Sequence, residues 1–338
     1  MKKLKQTVGI DVAQNELVCA FGYLLEDLNI GFKSSMTFKN SLIGFKKLKK
    51  WADKLADDEN PFFVLEATGV YHQKLANWLY ANSCKISIVL PNKISNYCKT
   101  LEIKTVTDKT ASQAITRFGL ERKLEKWAPA KPIFRKMKQL TRERDQIIAE
   151  KTTIKNQIHA EKTEAFPNPN SLKRLKARKK LLDSQELAVK NDIEQLVEQD
   201  IEIRERISNM TSIPGVGILT AAIVLGETNG FELIRNKRQL TSYAGLDVQE
   251  KLSGTSVKGK PRISKKGNRH LRKAVHFPAL SAKRFCSRYN GSFERLVAIH
   301  GIKMKALVAI QRKLLELMYT LYKNKTNFDP DFGSSLDQ

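Results

Sequence analysis

Apolar, β-branched runs open the chain at Thr7 to Val12, Glu16 to Leu24 and Ile30 to Phe38, and they predict three consecutive strands, the first two joined by the short turn Ala13-Gln14-Asn15. Ser41 then stands as an N-cap before Leu42, Phe45, Leu48 and Ala52 at helical spacing. A buried-type strand follows at Pro61 to Glu66, a helix at Tyr71 to Ala81, a strand at Ile86 to Leu90, and a helix that starts at Thr107-Asp108. The pattern changes after that. From about Ile133 to Ala165 and from Ser171 to Asn209 the chain is charged, nearly free of glycine and helical, with a stripe at Val189, Ile193, Leu196, Ile203 and Ile207 interrupted by Asp200. Phe166-Pro167-Asn168-Pro169-Asn170 breaks this region into an antiparallel helical hairpin of coiled-coil type. The last third reads as mostly helical. The pattern thus divides the chain into an α/β domain over 1–128, a hairpin linker over 129–209, a helical domain over 210–325 and a disordered tail over 326–338.

Composition changes this picture through charge. Of 338 residues, 60 are Lys or Arg and 35 are Asp or Glu, a net charge of +25 that fits a phosphate backbone better than a small metabolite. Between Glu250 and Glu294 there is no acid and there are twelve Lys or Arg residues, the footprint of a nucleic-acid-binding surface. Within it Lys258, Lys260, Arg262, Lys265, Lys266, Arg269, Arg272 and Lys273 are the candidate phosphate contacts. A second cluster, Lys173 to Lys180, lies near the hairpin tip. Ile213-Pro214-Gly215-Val216-Gly217 resembles the turn of a helix-hairpin-helix motif, with Gly215 and Gly217 exposing backbone N–H groups to a phosphate. No apolar run reaches the length of a membrane span, and the N-terminus has no secretory h-region. Cys19, Cys84, Cys98 and Cys286 lie far apart and read as reduced thiols of a cytoplasmic protein associated with the nucleoid when bound to DNA. The five histidines share no ligand spacing and receive no role.

The candidate chemistry lies in acids. A meander of strands followed by crossovers is the order of the ribonuclease-H-like fold, whose adjacent strand ends converge. Asp11 sits in the first strand and Glu66 at the end of the next buried one, so the pair can hold Mg²⁺, which takes few carboxylates and clamps phosphate oxygens. Asp108 is available as a third ligand at a helix start. One turn on, where a further acid would complete a four-carboxylate site, the chain has Ala111.

Gly9-Ile10-Asp11-Val12, Glu66-Ala67-Thr68-Gly69, Thr107-Asp108, Tyr243-Ala244-Gly245-Leu246, Ser253-Gly254 and Ile263 to Arg272 occur in an order that resembles the IS110 family of insertion-sequence transposases, including its IS1111 branch. The resemblance implies a RuvC-like domain with an Asp-Glu-Asp-Asp site, a C-terminal transposase domain with a nucleophilic serine, and a recombinase guided by a noncoding bridge RNA that pairs with target and donor DNA. Asp11, Glu66 and Asp108 match three of its acids, Ser253 matches its serine, with Ser256 as a rival, and Ala111 replaces its fourth acid. That departure predicts an inactivated copy, by deliberate acid-to-alanine exchange or by natural degeneration. Because the serine and the acids fall on different predicted domains, the expectation is a composite site formed between protomers, with a dimer of dimers in the synaptic complex. Two other readings stay open: a metal-dependent, structure-selective nuclease of the Holliday-junction type, and a noncatalytic nucleic-acid-binding protein.

Overall fold

Five strands build the sheet of the N-terminal part: β1 (Lys3–Val12), β2 (Glu16–Leu25), β3 (Ile30–Lys39), β4 (Phe62–Glu66) and β5 (Lys85–Val89). In this computed structural model the described residues are 3–57, 60–67, 69–101, 107–232, 234–250, 252–253, 257–259 and 261–330. The strand order is β3-β2-β1-β4-β5, with β1, β2 and β3 antiparallel and β4 and β5 parallel to β1. This is the ribonuclease-H-like arrangement, so the fold expected for this part is the one observed. The crossovers are helical: α1 (Leu42–Leu55), α2 (His72–Ala81) and α3 (Pro91–Cys98), with a short 3₁₀ turn at Lys99–Leu101 before α4 (Asp108–Glu121). Ser41 caps α1 by accepting from the Gly44 amide, as its position predicted. Helix α3 was not apparent from periodicity; it is eight residues long and starts on a proline at N1.

One side of the sheet packs on α1 and α2 through Val8, Ile10, Leu17, Phe21, Leu48, Leu65 and Leu79, with Trp51 edge-on to Phe21 and Phe38. Full burial of each such side chain contributes about 1.5–3 kcal/mol. The other side carries α4. Its crossing is possible because residue 9 is glycine: a Cβ there would lie 2.3 Å from the Thr116 amide nitrogen. The Gly9 amide donates to Thr116 Oγ1, and that hydroxyl donates to the Ala20 carbonyl, pinning α4 to β1 and β2.

Residues Met1–Pro129 form one compact unit and Ala130–Gln338 a second. The second unit begins with α5 (Pro132–Thr163) and α6 (Pro169–Glu198) and continues with α7 (Ile201–Thr211), α8 (Ile218–Thr228) and α9 (Lys237–Ala244). Two two-stranded ribbons follow, β6 (Val248–Gln249) with β9 (Arg262–Ile263) and β7 (Leu252–Ser253) with β8 (Val257–Lys258). It ends with α10 (Arg269–Ala274), α11 (His276–Phe285), α12 (Ser287–His300) and α13 (Lys303–Asn324). Helices α5 and α6 are the expected antiparallel hairpin, bound by Arg144 and Lys151 to Glu186 and by Lys151 to Asp183.

Three expectations change here. The stretch from Ser171 to Asn209 is two helices rather than one, because the Asp200 carboxylate accepts from the Ile203 amide and starts α7 as its N-cap. The hairpin is also not a free-standing linker: Phe134, Met137, Leu196 and Val197 lie in one continuous core with Leu225, Leu314 and Met318. Finally, residues 326–330 are not a loose tail. Phe328 packs on that core, and its amide donates to Ser212 Oγ; residues 331–338 lie outside the described residues.

Candidate active site and nucleic-acid interface

The sheet register brings the first two acids together. Ile10 pairs with Leu65 across parallel β1 and β4, so Asp11 and Glu66 follow side by side at the strand ends. Both are half-buried. Burial raises the Asp11 carboxyl above its ordinary range, the charge of Asp108 raises it further, and a backbone hydrogen bond at Val12 partly opposes both. Burial, then the charge of Asp11, raises Glu66 in the same way. None of the three carboxylates forms an ion pair with a described Lys or Arg.

Asp108 is placed by a capping box: Thr107 Oγ1 accepts from the Thr110 amide, and Thr110 Oγ1 accepts from the Thr107 amide. It is exposed in the first turn of α4 and acts on Asp11 through charge. Ala111 follows one turn later, half-buried, its amide donating to the Thr107 carbonyl. The donor set fits a divalent cation in part. Two adjacent carboxylates, both held above their ordinary pKa and paired with no described Lys or Arg, match the small number of protein ligands that Mg²⁺ takes. Among the described residues, however, no three His, Cys, Asp or Glu side chains group closely enough to hold a metal ion.

Sequence reasoning missed Asn40. Its Nδ2 donates to the Ala13 carbonyl (2.9 Å) and to the Tyr71 carbonyl (3.3 Å), tying the loop after Asp11 to the loop after Glu66. Its Oδ1 is buried and unpaired. An Asn between a strand and a helix cap looks like ordinary turn chemistry, so nothing in the chain marked it.

In the second unit, the two late sequence motifs turn out to be one structural device. Gly245 has φ +69°, and a Cβ on Gly267 would lie 2.5 Å from the Tyr243 carbonyl oxygen, so both glycines permit a close backbone approach. Across that approach the Asn268 amide donates to Tyr243 O, the Lys265 amide to Gly245 O, and Arg272 Nη1 to Ala244 O (2.7 Å). The ribbon of β6 and β9 leaves from this staple, fastened by Ser264 Oγ donating to Asp247 (2.6 Å), and β7 with Ser253 and β8 with Lys258 lies beyond it. Lys260, Gly254 and Ser256 lie outside the described residues, as do the side chains of Ser253 and Lys258.

The same staple holds one buried and one half-buried acid. Glu227, 2% exposed, accepts from Arg142 (2.8 Å) and Asn268 (2.6 Å). Burial pushes its carboxyl up, but these hydrogen bonds more than offset that and hold it below the usual range. Asp145 pairs with Lys273 (2.7 Å) and His270 (3.0 Å). Lys273 and Arg272 were expected at phosphates; the structure gives Arg272 an internal carbonyl and Lys273 an internal acid. Arg262, Lys265, Lys266 and Arg269 are exposed and unpaired with any described acid. Gly215 has φ +89°, and a Cβ there would lie 2.6 Å from Ser281 Cβ, so core packing alone explains it. Gly217 has open space around it and begins α8 without a side-chain cap.

Residues 8–167 match the family model of a DEDD-type IS110 transposase, and residues 207–293 match one described as transposase, IS116/IS110/IS902 family. The chain is 28% identical over 335 residues to the pilin gene-inverting proteins of Moraxella lacunata and Moraxella bovis, covering 96% of this chain and 98% of each of those. It is 28% identical over 120 residues to the insertion element IS110 uncharacterized 43.6 kDa protein of Streptomyces coelicolor, which is 36% of this chain and 29% of that one. A T. thermophilus RuvC in complex with a Holliday junction substrate aligns with 33% of this chain and 90% of its own at TM-score 0.26 and 8% identity, a likeness too slight to carry weight beside the strand order. No helix among the described residues is long and apolar enough to cross a membrane.

Proposed function

The chain belongs to the IS110 family of transposases, and from that premise we propose that it cuts and rejoins DNA strands through a phosphoserine intermediate on Ser253, with the carboxylates of Asp11, Glu66 and Asp108 serving the same phosphate. The observation that carries the reading is the acid pair Asp11 and Glu66, which stands at adjacent strand ends unpaired with any described Lys or Arg. Mg²⁺ bound there would supply positive charge to the phosphate oxygens. Asp11 and Glu66 would hold it, with Asp108 as the third carboxylate. The Ser253 Oγ–P bond forms as the P–O bond to the departing strand breaks, and the serine proton ends on the departing oxygen. Attack by the hydroxyl of another strand reverses the step, so rejoining needs no ATP. A noncoding bridge RNA selects target and donor DNA, copies of the chain act together as a dimer or tetramer, and exposed Arg262, Lys265, Lys266 and Arg269 hold phosphates. The name of the full-length Moraxella relatives describes inversion of a gene, which the same chemistry yields when the two sites lie in opposite orientation.

The test expresses the chain with the noncoding flanks of its element and sequences the nucleic acid that co-purifies. A discrete RNA with loops complementary to two DNA sites is expected; heterogeneous nucleic acid alone would overturn the guide. On those DNA sites Ala111→Asp should raise cleavage and give a denaturant-resistant protein–DNA adduct, and Ser253→Ala should abolish both. Cleavage that survives Ser253→Ala without an adduct would establish the junction nuclease instead. No cleavage by the Ala111→Asp protein with Mg²⁺ would leave a noncatalytic binding protein.

A further inference from the structure

Helix α11 turns Pro278, Ala279 and Ala282 into the core and leaves Phe277 (74% exposed), Leu280 (42%), Arg284 and Phe285 (69%) outside. Phe277, Leu280 and Arg284 follow one another at helical spacing on α11, and Arg269 is exposed on α10, the helix before it. The Arg284 guanidinium lies 5.3 Å from the Phe285 ring centre. Two outward phenylalanines and a leucine concentrate exposed apolar surface on one ten-residue helix.

We infer that this face is a stacking platform for unpaired DNA, on which bases lie against Phe277 and Phe285 while Arg284 and Arg269 hold the phosphates. Charge selects the occupant. Asp145 pairs with Lys273, but Arg269 and Arg284 pair with no described acid, so two copies of this face repel each other and a basic partner is refused. Duplex DNA satisfies the cations but conceals its base faces, whereas a single strand offers both phosphate and π-face. Strand exchange unpairs DNA, which makes DNA the occupant that the family's reaction supplies. The inference rests on the reading of this unit as a nucleic-acid-binding one, and it is independent of Ser253 and of the acid pair.

The experiment is fluorescence anisotropy of the full chain with labelled single-stranded DNA, the same sequence as a duplex, and the same sequence as RNA, over a range of salt concentrations. Phe277→Ala should weaken single-stranded DNA binding about tenfold and change duplex binding less than about twofold. Phe277→Trp should restore it. Arg284→Gln should weaken both and lower the salt slope by about one. Equal losses on single strand and duplex from Phe277→Ala, or no loss on either, would overturn the platform. A variant that loses RNA binding while keeping DNA binding would reassign it to RNA, and one that changes only the molecular mass in solution would make the face a contact between copies. Both positions are exposed, and an unchanged melting temperature confirms the fold of each variant.

Discussion

At the ends of the adjacent strands β1 and β4 in the N-terminal unit, Asp11 and Glu66 are half-buried beside each other, Asp108 acts on Asp11, and no described cation pairs with any of them. In the C-terminal unit, Glu227 lies between Arg142 and Lys138, Asp145 between Lys273 and His270, and Glu186 among Arg144, Lys151 and Lys190. Asp11 and Glu66 are held above their ordinary pKa, and Glu227, Asp145 and Glu186 below theirs. With a net charge of +25, cations are plentiful, so an acid pair left without one is a choice of position rather than of composition. Partnered acids hold the second unit together. Unpartnered acids destabilise their own charged form and leave room for a cation from outside.

The sharpest way to break this comparison is Asp11→Asn in a chain that also carries Ala111→Asp. Strand cleavage should fall more than about a hundredfold, because a first ligand matters more than the outer-shell partners whose loss already costs ten- to a hundredfold. Thermal stability should hold or rise, because the substitution removes a charge that burial and Asp108 disfavour. A clear loss of melting temperature would mean that Asp11 is a structural acid like Glu227, and the contrast would disappear.

Acid titration tests the other side. A hydrogen bond from Lys151 holds the Glu186 carboxyl at about 2, so its native form releases the proton more readily than the unfolded chain does. The stability it contributes is full above the ordinary value of 4.5 and is lost as pH falls from there towards about 2. Asp11 and Glu66 have the opposite sign: protonation relieves them, and their unfavourable contribution grows as pH rises through their raised values. Trp51, Trp78 and Trp127 all lie in the N-terminal unit, so their fluorescence follows that unit while far-UV circular dichroism is weighted to the helices of the second. Far-UV signal should decline over that acid range, and Glu186→Gln should lower stability at neutral pH and flatten the decline. An unchanged acid limb in Glu186→Gln would show that the hairpin does not depend on this carboxylate.

The two units also differ in how much of them the chain reveals. Strand alternation, the Ser41 cap and the Thr107 cap made the sheet and α4 legible, and a glycine two residues before Asp11 was visible without its reason, the crossing of α4 over β1. The acids were legible because a carboxylate at a buried strand end is rare. In the second unit, Lys273 and Arg272 sit in a run with no acid nearby in sequence, and their partners, Asp145 and the Ala244 carbonyl, come from 128 and 28 residues away. Local charge counts cannot see such pairing. The apolar stripe showed an interruption at Asp200 but not its meaning, a side-chain cap that starts a new helix.

Asn40 provides the finest test, because it concerns where the unpartnered acids stand rather than whether they are present. Its amide bridges the loops that leave Asp11 and Glu66. Asn40→Ala removes two hydrogen bonds at a partly exposed site and should lower stability by about 1 kcal/mol. A merely structural role would end there. If Asn40 sets the separation of the two acids, the Mg²⁺ concentration for half-maximal cleavage should rise several-fold in the Ala111→Asp background, while the rate at saturating Mg²⁺ returns close to that of the parent. Asp11→Asn offers the control, since loss of a ligand is not repaired by added metal. Equal Mg²⁺ dependence in Asn40→Ala and its parent would reduce Asn40 to a turn residue and leave the β1 and β4 register alone to hold the acid pair together.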